Sequence, residues 1–198
     1  LRYEDRTRLT LIEDLRSGVP AQVEGRVMAV ERGMRYRPML KVAIEDEGRG
    51  TLVLRFFHFR QQQLGQFAVG NRLRCFGTPR PGQLGLEIVH PSYQVLGRHD
   101  DPALGDRLDP VYPAVEGVGP ATMRKLILQA LERLPDESLL ELLPPGWLDG
   151  LGLPSLRSAL LTVHQPPPDA DLSALANGIH PAQRRLALEE LLAHHLSL

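Results

Sequence analysis

Lysine is almost missing from these 198 residues: only Lys41 and Lys125 are present, and neither follows a glycine. Without a Gly-Lys pair no phosphate-cradling P-loop can be written, so a self-contained ATPase site is excluded. A single cysteine, Cys75, rules out any disulfide within the chain and fits a reducing cytoplasm. It lies inside a strand pattern, where a buried, inert thiol is expected. No stretch approaches the ~18 uninterrupted apolar residues of a membrane helix, and Leu1-Arg2-Tyr3-Glu4-Asp5-Arg6 has no basic-then-apolar secretory pattern. The seven histidines, His58, His90, His99, His164, His180, His194 and His195, lack metal-motif spacing. There is no Gly-x-Ser-x-Gly elbow either. Neither a metal nor catalysis is expected of this chain.

What is present is 42% apolar and 24% charged residues, the composition of a globular protein. The length suits a small barrel with a helical appendage. A net charge of -1 hides a division: residues 1 to 99 hold 16 Lys+Arg against 10 Asp+Glu, and residues 100 to 198 hold 7 against 14. The basic half suits a polyanion, although an ordinary solvated surface explains the same numbers.

Residues 21 to 97 read as five short strands. Val23, Gly25, Val27 and Ala29 alternate with Gln22, Glu24, Arg26 and Met28, and Leu40, Val42 and Ile44 repeat the period of two. After the turn Asp46-Glu47-Gly48-Arg49-Gly50, Leu52, Leu54 and Phe56 share one face, with Val53, Arg55 and Phe57 on the other. Leu73 and Cys75 mark a fourth strand, Pro79-Arg80-Pro81-Gly82 a turn, and Leu84, Leu86 and Ile88 a fifth. A short helix is expected over residues 61 to 67. This order is that of a five-stranded, Greek-key OB-fold barrel, with an SH3-like barrel as the alternative.

From about Arg107 the spacing turns helical, with proline stops. Pro120 opens a helix with Met123, Leu126, Ile127 and Leu131 on one stripe, and Pro135 halts it. Ser155 caps a helix carrying Leu156, Ala159, Leu160 and Val163. A last helix runs from about Pro181, with Leu186, Glu190 and Leu191 spaced along it. The expected organisation is a lead-in over 1 to 20, the barrel over 21 to 98, a helical segment over 107 to 178 and a final helix over 179 to 198.

Arg55-Phe56-Phe57-His58-Phe59-Arg60 carries the main chemistry. With Phe56 inside, Arg55, Phe57 and Phe59 face outward, and aromatics beside arginines suit nucleic acid: rings stack on bases while guanidiniums hold the backbone. The pattern also allows Phe57 and Phe59 to bury against the following helix. The loop holding Arg35, Tyr36 and Arg37 borders the ligand groove of an OB-fold, and Arg72, Arg74 and Arg80 extend the basic character, although a solvated hairpin explains the loop as well.

These residues resemble the wedge region of the RecG ATP-dependent DNA helicase family. Leu1-Arg2-Tyr3-Glu4-Asp5-Arg6, Phe56-Phe57-His58-Phe59, Ile88-Val89-His90-Pro91-Ser92-Tyr93, Pro110-Val111-Tyr112-Pro113 and Arg184-Arg185-Leu186 are similar to successive stretches of that family. The resemblance implies a wedge that splits the arms of stalled forks and junctions in DNA repair and recombination, while a motor absent here consumes ATP with magnesium. It implies branched or single-stranded DNA, the motor domains of the same chain and single-strand binding protein as partners. It also implies a bacterial, nucleoid-associated setting with no membrane. The family's Phe-Asn-x-x-Tyr pattern supplies stacking aromatics. Phe57 matches the phenylalanine and His58 the asparagine, whereas Gln61 stands where the tyrosine would be and Phe59 is the expected substitute. The alternative function is a protein-docking module.

Overall fold

The computed structural model describes residues 1–33, 38–97, 103–113 and 115–197. The elements begin with β1 (Arg2–Glu4), a 3-10 turn (Ile12–Asp14), β2 (Ala21–Gly33), β3 (Met39–Glu45), β4 (Thr51–Phe56) and α1 (Gln61–Gln66). Next come β5 (Arg72–Gly77), β6 (Pro79–Gly82), β7 (Gly85–Val89), β8 (Ser92–Leu96) and β9 (Asp109–Val111). The helices α2 (Pro120–Glu132), α3 (Glu137–Leu140), α4 (Pro145–Leu151), α5 (Leu156–His164), α6 (Leu172–Ala176) and α7 (Pro181–Leu196) complete the chain. They form two compact units: Asp5–Gly105, the sheet unit, and Leu1–Glu4 with Asp106–Leu198, the helical unit.

In the sheet unit, seven strands bond in the order β6-β7-β4-β3-β2-β5-β8. Each neighbouring pair is antiparallel except β4 with β7. Alternation does what period two demands: Leu40, Val42, Ile44, Leu52 and Leu54 are fully buried and Phe56 nearly so. Cross-strand partners Val42↔Leu54 and Ile44↔Leu52 stack side chains on the same face. On β2 the phase breaks, because the register shifts between Val27 and Ala29. This bulge flips every later side chain, so Ala29, expected inside, is exposed.

The expected fifth strand is β7, and β8 is a further strand that the sequence pattern did not mark. Only His90 and Pro91 separate β7 from β8, yet β7 pairs with β4 while β8 lies at the far end of the order on β5. Three chain steps reach about 10 Å at most, so the sheet curls back on itself around one core. The approach is close enough that a Cβ on Gly77 of β5 would overlap the Ile88 side chain. No ladder among the described residues joins the two ends, so the expected closed five-stranded barrel is instead a curled, mixed sheet of seven strands. The prolines expected to make a turn stand in β6, which pairs Pro79↔Ile88 through Gly82↔Gly85. An edge strand tolerates them. The turn falls at Gln83 and Leu84, and Leu84, expected inside, is 80% exposed.

The segment before β2 is part of the same unit. Ile12 and Leu15 enter the core, and the Asp46 carboxylate accepts the Ile12 N–H at 2.6 Å and the Gly50 N–H at 2.8 Å. Gly50 has to be glycine here, since a Cβ would stand 2.7 Å from that of Ile12. Burial pushes the Cys75 thiol up to about 12.

In the helical unit β1 pairs antiparallel with β9, Arg2↔Val111 through Glu4↔Asp109, so the first residues of the expected lead-in belong here. The Tyr3 hydroxyl donates to the Val163 carbonyl oxygen at 3.0 Å. Ser155 caps α5 by accepting the Ser158 N–H at 3.3 Å. Ala159, Val163 and Ala182 form the buried contact of α5 with α7. The expected stripes hold in part: on α2 Leu131 is buried but Leu126 is exposed, and on α7 Ala182 and Arg185 face inward while Leu191 is exposed. Arg185 is completely buried, with Nη2 2.7 Å from Glu141 and Nη1 2.5 Å from Glu189. Glu141 also accepts the N–H groups of Leu143 at 3.1 Å and Leu156 at 2.9 Å. Burial pushes its carboxyl up, but these two amides and Arg185 outweigh that and hold it below the usual value.

Candidate nucleic-acid interface

The end of β4 is an aromatic cluster. Phe56 turns inward, its ring 5.1 Å from Phe67 and 5.8 Å from Tyr93, and the Phe67 and Tyr93 rings lie 4.8 Å apart. The Tyr93 hydroxyl donates to Gln66 Oε1 at 2.7 Å and accepts from Gln63 Nε2 at 3.1 Å. That ties α1 to β8. The helix start is fixed in turn by the Arg60 N–H, which donates to Gln63 Oε1 at 2.7 Å.

Beyond this anchor the chain comes to the surface. Phe57 and Phe59 are half-buried, Phe59 packing against the core, while His58, Arg60 and Gln61 are exposed. Neither sequence alternative is realised in full: Phe57 is not sealed under α1, and Phe59 is not a free outward ring. His90 completes the cluster, its ring 5.7 Å from Phe57 and stacked on His58 at 6.1 Å with 16° between planes. The sequence marks His90 as a histidine without metal spacing and as part of a stretch that resembles the RecG family, with no role at the site. The available signal was an aromatic-capable residue before a proline at a strand exit.

The expected arginines are less free than their number suggests. Arg55 Nη2 lies 2.5 Å and Arg80 Nη2 2.9 Å from the same carboxylate, Glu87. Arg72 and Arg74 both pair with Glu24. Two acidic side chains thus hold four of the candidate cations against the sheet. Arg60 has no ion-pair partner among the described residues, and of the candidates described it is the most available to a phosphate. Arg35, Tyr36 and Arg37 lie outside the described residues. Arg6, not singled out earlier, sits over the Phe76 ring with its guanidinium 4.4 Å from the centroid. Among the described residues no group of three His, Cys, Asp or Glu is placed to hold a metal ion, and no helix is long and apolar enough to cross a membrane.

A curled sheet with an aromatic strand exit and arginine-rich flanks defines the class, and comparison with known proteins narrows it. Residues 2–134 match the model of the RecG wedge domain. The ATP-dependent DNA helicase RecG of Escherichia coli K12 is 47% identical over the whole chain, which covers 28% of that protein. RecG of Haemophilus influenzae is 41% identical over the same span and share. Among solved structures, RecG bound to a three-way DNA junction has the same fold, with a TM-score of 0.62 and 23% identity, over 96% of this chain and 25% of that one. The chain belongs to the RecG wedge domain family. It spans little more than a quarter of the length of the curated relatives it matches.

Proposed function

We propose that this chain is the part of a RecG-type helicase that receives branched DNA, with the curled sheet serving as an OB-type groove whose mouth is the end of β4. The observation that carries this reading is Phe57, half-buried and flanked by exposed His58 and Arg60 on a framework locked by Tyr93. A base pushed out of its stack loses neighbours, and an aromatic face replaces part of that loss without reading sequence. A ring held by rigid elements acts as a wedge, and Arg60 steadies the adjacent phosphate. No Gly-Lys pair of a phosphate-binding loop is present in this sequence, so ATP and magnesium are expected at the motor. The driving step, and the remodelling of forks, belong to the motor of the resembled full-length enzyme.

The paired arginines set the electrostatics. Glu24 and Glu87 pair with four of the candidate cations, so binding depends less on salt than the number of arginines suggests. Six phosphate neutralisations, the excess carried by residues 1 to 99, give a log–log slope of about -5.4 on duplex DNA. That slope, rather than one set by all 16 Lys+Arg of the segment, is expected. The test is a titration of the chain with labelled fork and with matched duplex at two salt concentrations. Phe57→Ala is expected to weaken fork binding about five- to a hundredfold, the weight of one stacked base, while duplex binding changes little. Equal losses on fork and duplex would remove the wedge reading.

A further inference from the structure

His90 fills the break between β7 and β8 with φ at 47°, in the left-handed region that a side chain disfavours and that histidine enters rarely, though more often than most residues. Its own N–H donates to the Arg55 carbonyl oxygen at 2.8 Å. Its Nε2 accepts the Phe57 N–H at 3.3 Å, which assigns the ring proton to Nδ1. The same ring touches Phe57, stacks on His58 and meets Phe56 edge-on at 6.1 Å. A strained backbone that sets one imidazole against three successive residues is a cost retained for geometry. The Phe57 amide lies at the surface, where water would satisfy it, so this bond orients the residue rather than relieving a buried donor.

Taking Phe57 as the stacking residue proposed above, we propose that His90 is its positioning residue: by accepting the Phe57 N–H and packing on its ring, His90 fixes the angle at which Phe57 meets an unpaired base. His90 then acts on DNA through Phe57. Its identity, rather than the turn it occupies, sets how strongly forks are preferred to duplex.

Three substitutions separate the hydrogen bond from the backbone. His90→Gly takes the left-handed conformation without strain and removes the acceptor, His90→Gln puts an amide oxygen about where Nε2 stood, and His90→Phe keeps a ring with no acceptor. The full chain is read in two ways. Hydrogen exchange at the Phe57 amide is expected to be slow in the parent and in His90→Gln and fast in His90→Gly. The fork-over-duplex preference is expected to fall about fivefold in His90→Gly, the weight of one neutral hydrogen bond, and to recover in His90→Gln. Added to Phe57→Ala, His90→Gly is expected to change nothing further. Should the glycine variant lose its fold, His90→Phe carries the same expectations. Full fork preference despite a fast-exchanging Phe57 amide overturns the inference, as does the same fivefold fall in the Phe57→Ala background. A parent with no fork preference overturns the reading of Phe57 instead, while the exchange data still decide whether His90 holds that amide.

Discussion

In the sheet unit one continuous core runs from Ile12 on the 3-10 turn to Ile88 on β7, with much of it fully sealed from water. In the helical unit the corresponding cluster is Ala159, Val163 and Ala182 with Leu186 against them, and the largest sealed side chain is an arginine. The difference lies in how each unit responds to losing one part. A core built from many apolar contacts degrades by increments, because each side chain contributes about 1.5 to 3 kcal/mol and its neighbours remain. The ion network instead couples its members, because removing the buried guanidinium leaves two half-buried carboxylates unpaired.

The largest expected effect follows from that contrast. Arg185→Ala leaves Glu141 and Glu189 without their buried partner and is expected to cost the helical unit about 3 to 5 kcal/mol. Hydrogen exchange resolved by residue should show protection lost across α5 and α7 while β3 and β4 keep theirs. If both units lost protection together, their separate stabilities would be refuted. Next comes Leu54→Ala at the centre of the sheet core, expected to cost about 2 to 5 kcal/mol with the reverse pattern of exchange. Denaturant melts followed on each unit would check it.

Acid sharpens the comparison further. Burial lowers the pKa of His164 from 6.5, so as pH falls through about 6.5 the unfolded chain takes up a proton before the folded one does, and stability drops. Glu141 is also held below its ordinary 4.5. Its contribution is present above that value and is lost as pH falls through the lower folded value. The helical unit is therefore expected to weaken in two stages on acidification, the second one removed by Glu141→Gln, as read by thermal melts from pH 7 to 3. The smallest effect concerns Cys75. With its thiol near 12 and its side chain buried, native protein at pH 8 should resist alkylation for hours, and urea-unfolded protein should label at once, as mass spectrometry would show.

Legibility followed the range of the interactions. Leu40-Val42-Ile44 and Leu52-Leu54-Phe56 were readable because alternation is a property of the strand itself. The resemblance to RecG was readable because whole stretches carried it. The bulge at Met28 was not, since one extra residue changes no composition. Nor was the strand through Pro79 and Pro81, because local rules treat proline as a breaker and only the edge position excuses it. Arg185 was invisible as a buried residue because Glu141 lies 44 positions away. At the candidate site, Phe57 and Arg60 were singled out from local pattern, but the clamping of Arg55 and Arg80 by Glu87 depends on a parallel pairing between distant strands. The contact of His90 with Phe57 was hidden for the same reason, since it joins residues 33 positions apart.

The pairing of Glu4 with Asp109 means that the chain departs into the sheet unit and comes home at a single rung of backbone. The sheet unit, Asp5–Gly105, is therefore an insertion between two strands that already pair with each other. A tight hairpin joining β1 directly to β9 would then keep every backbone rung of that pair, and the helical unit is expected to fold from it.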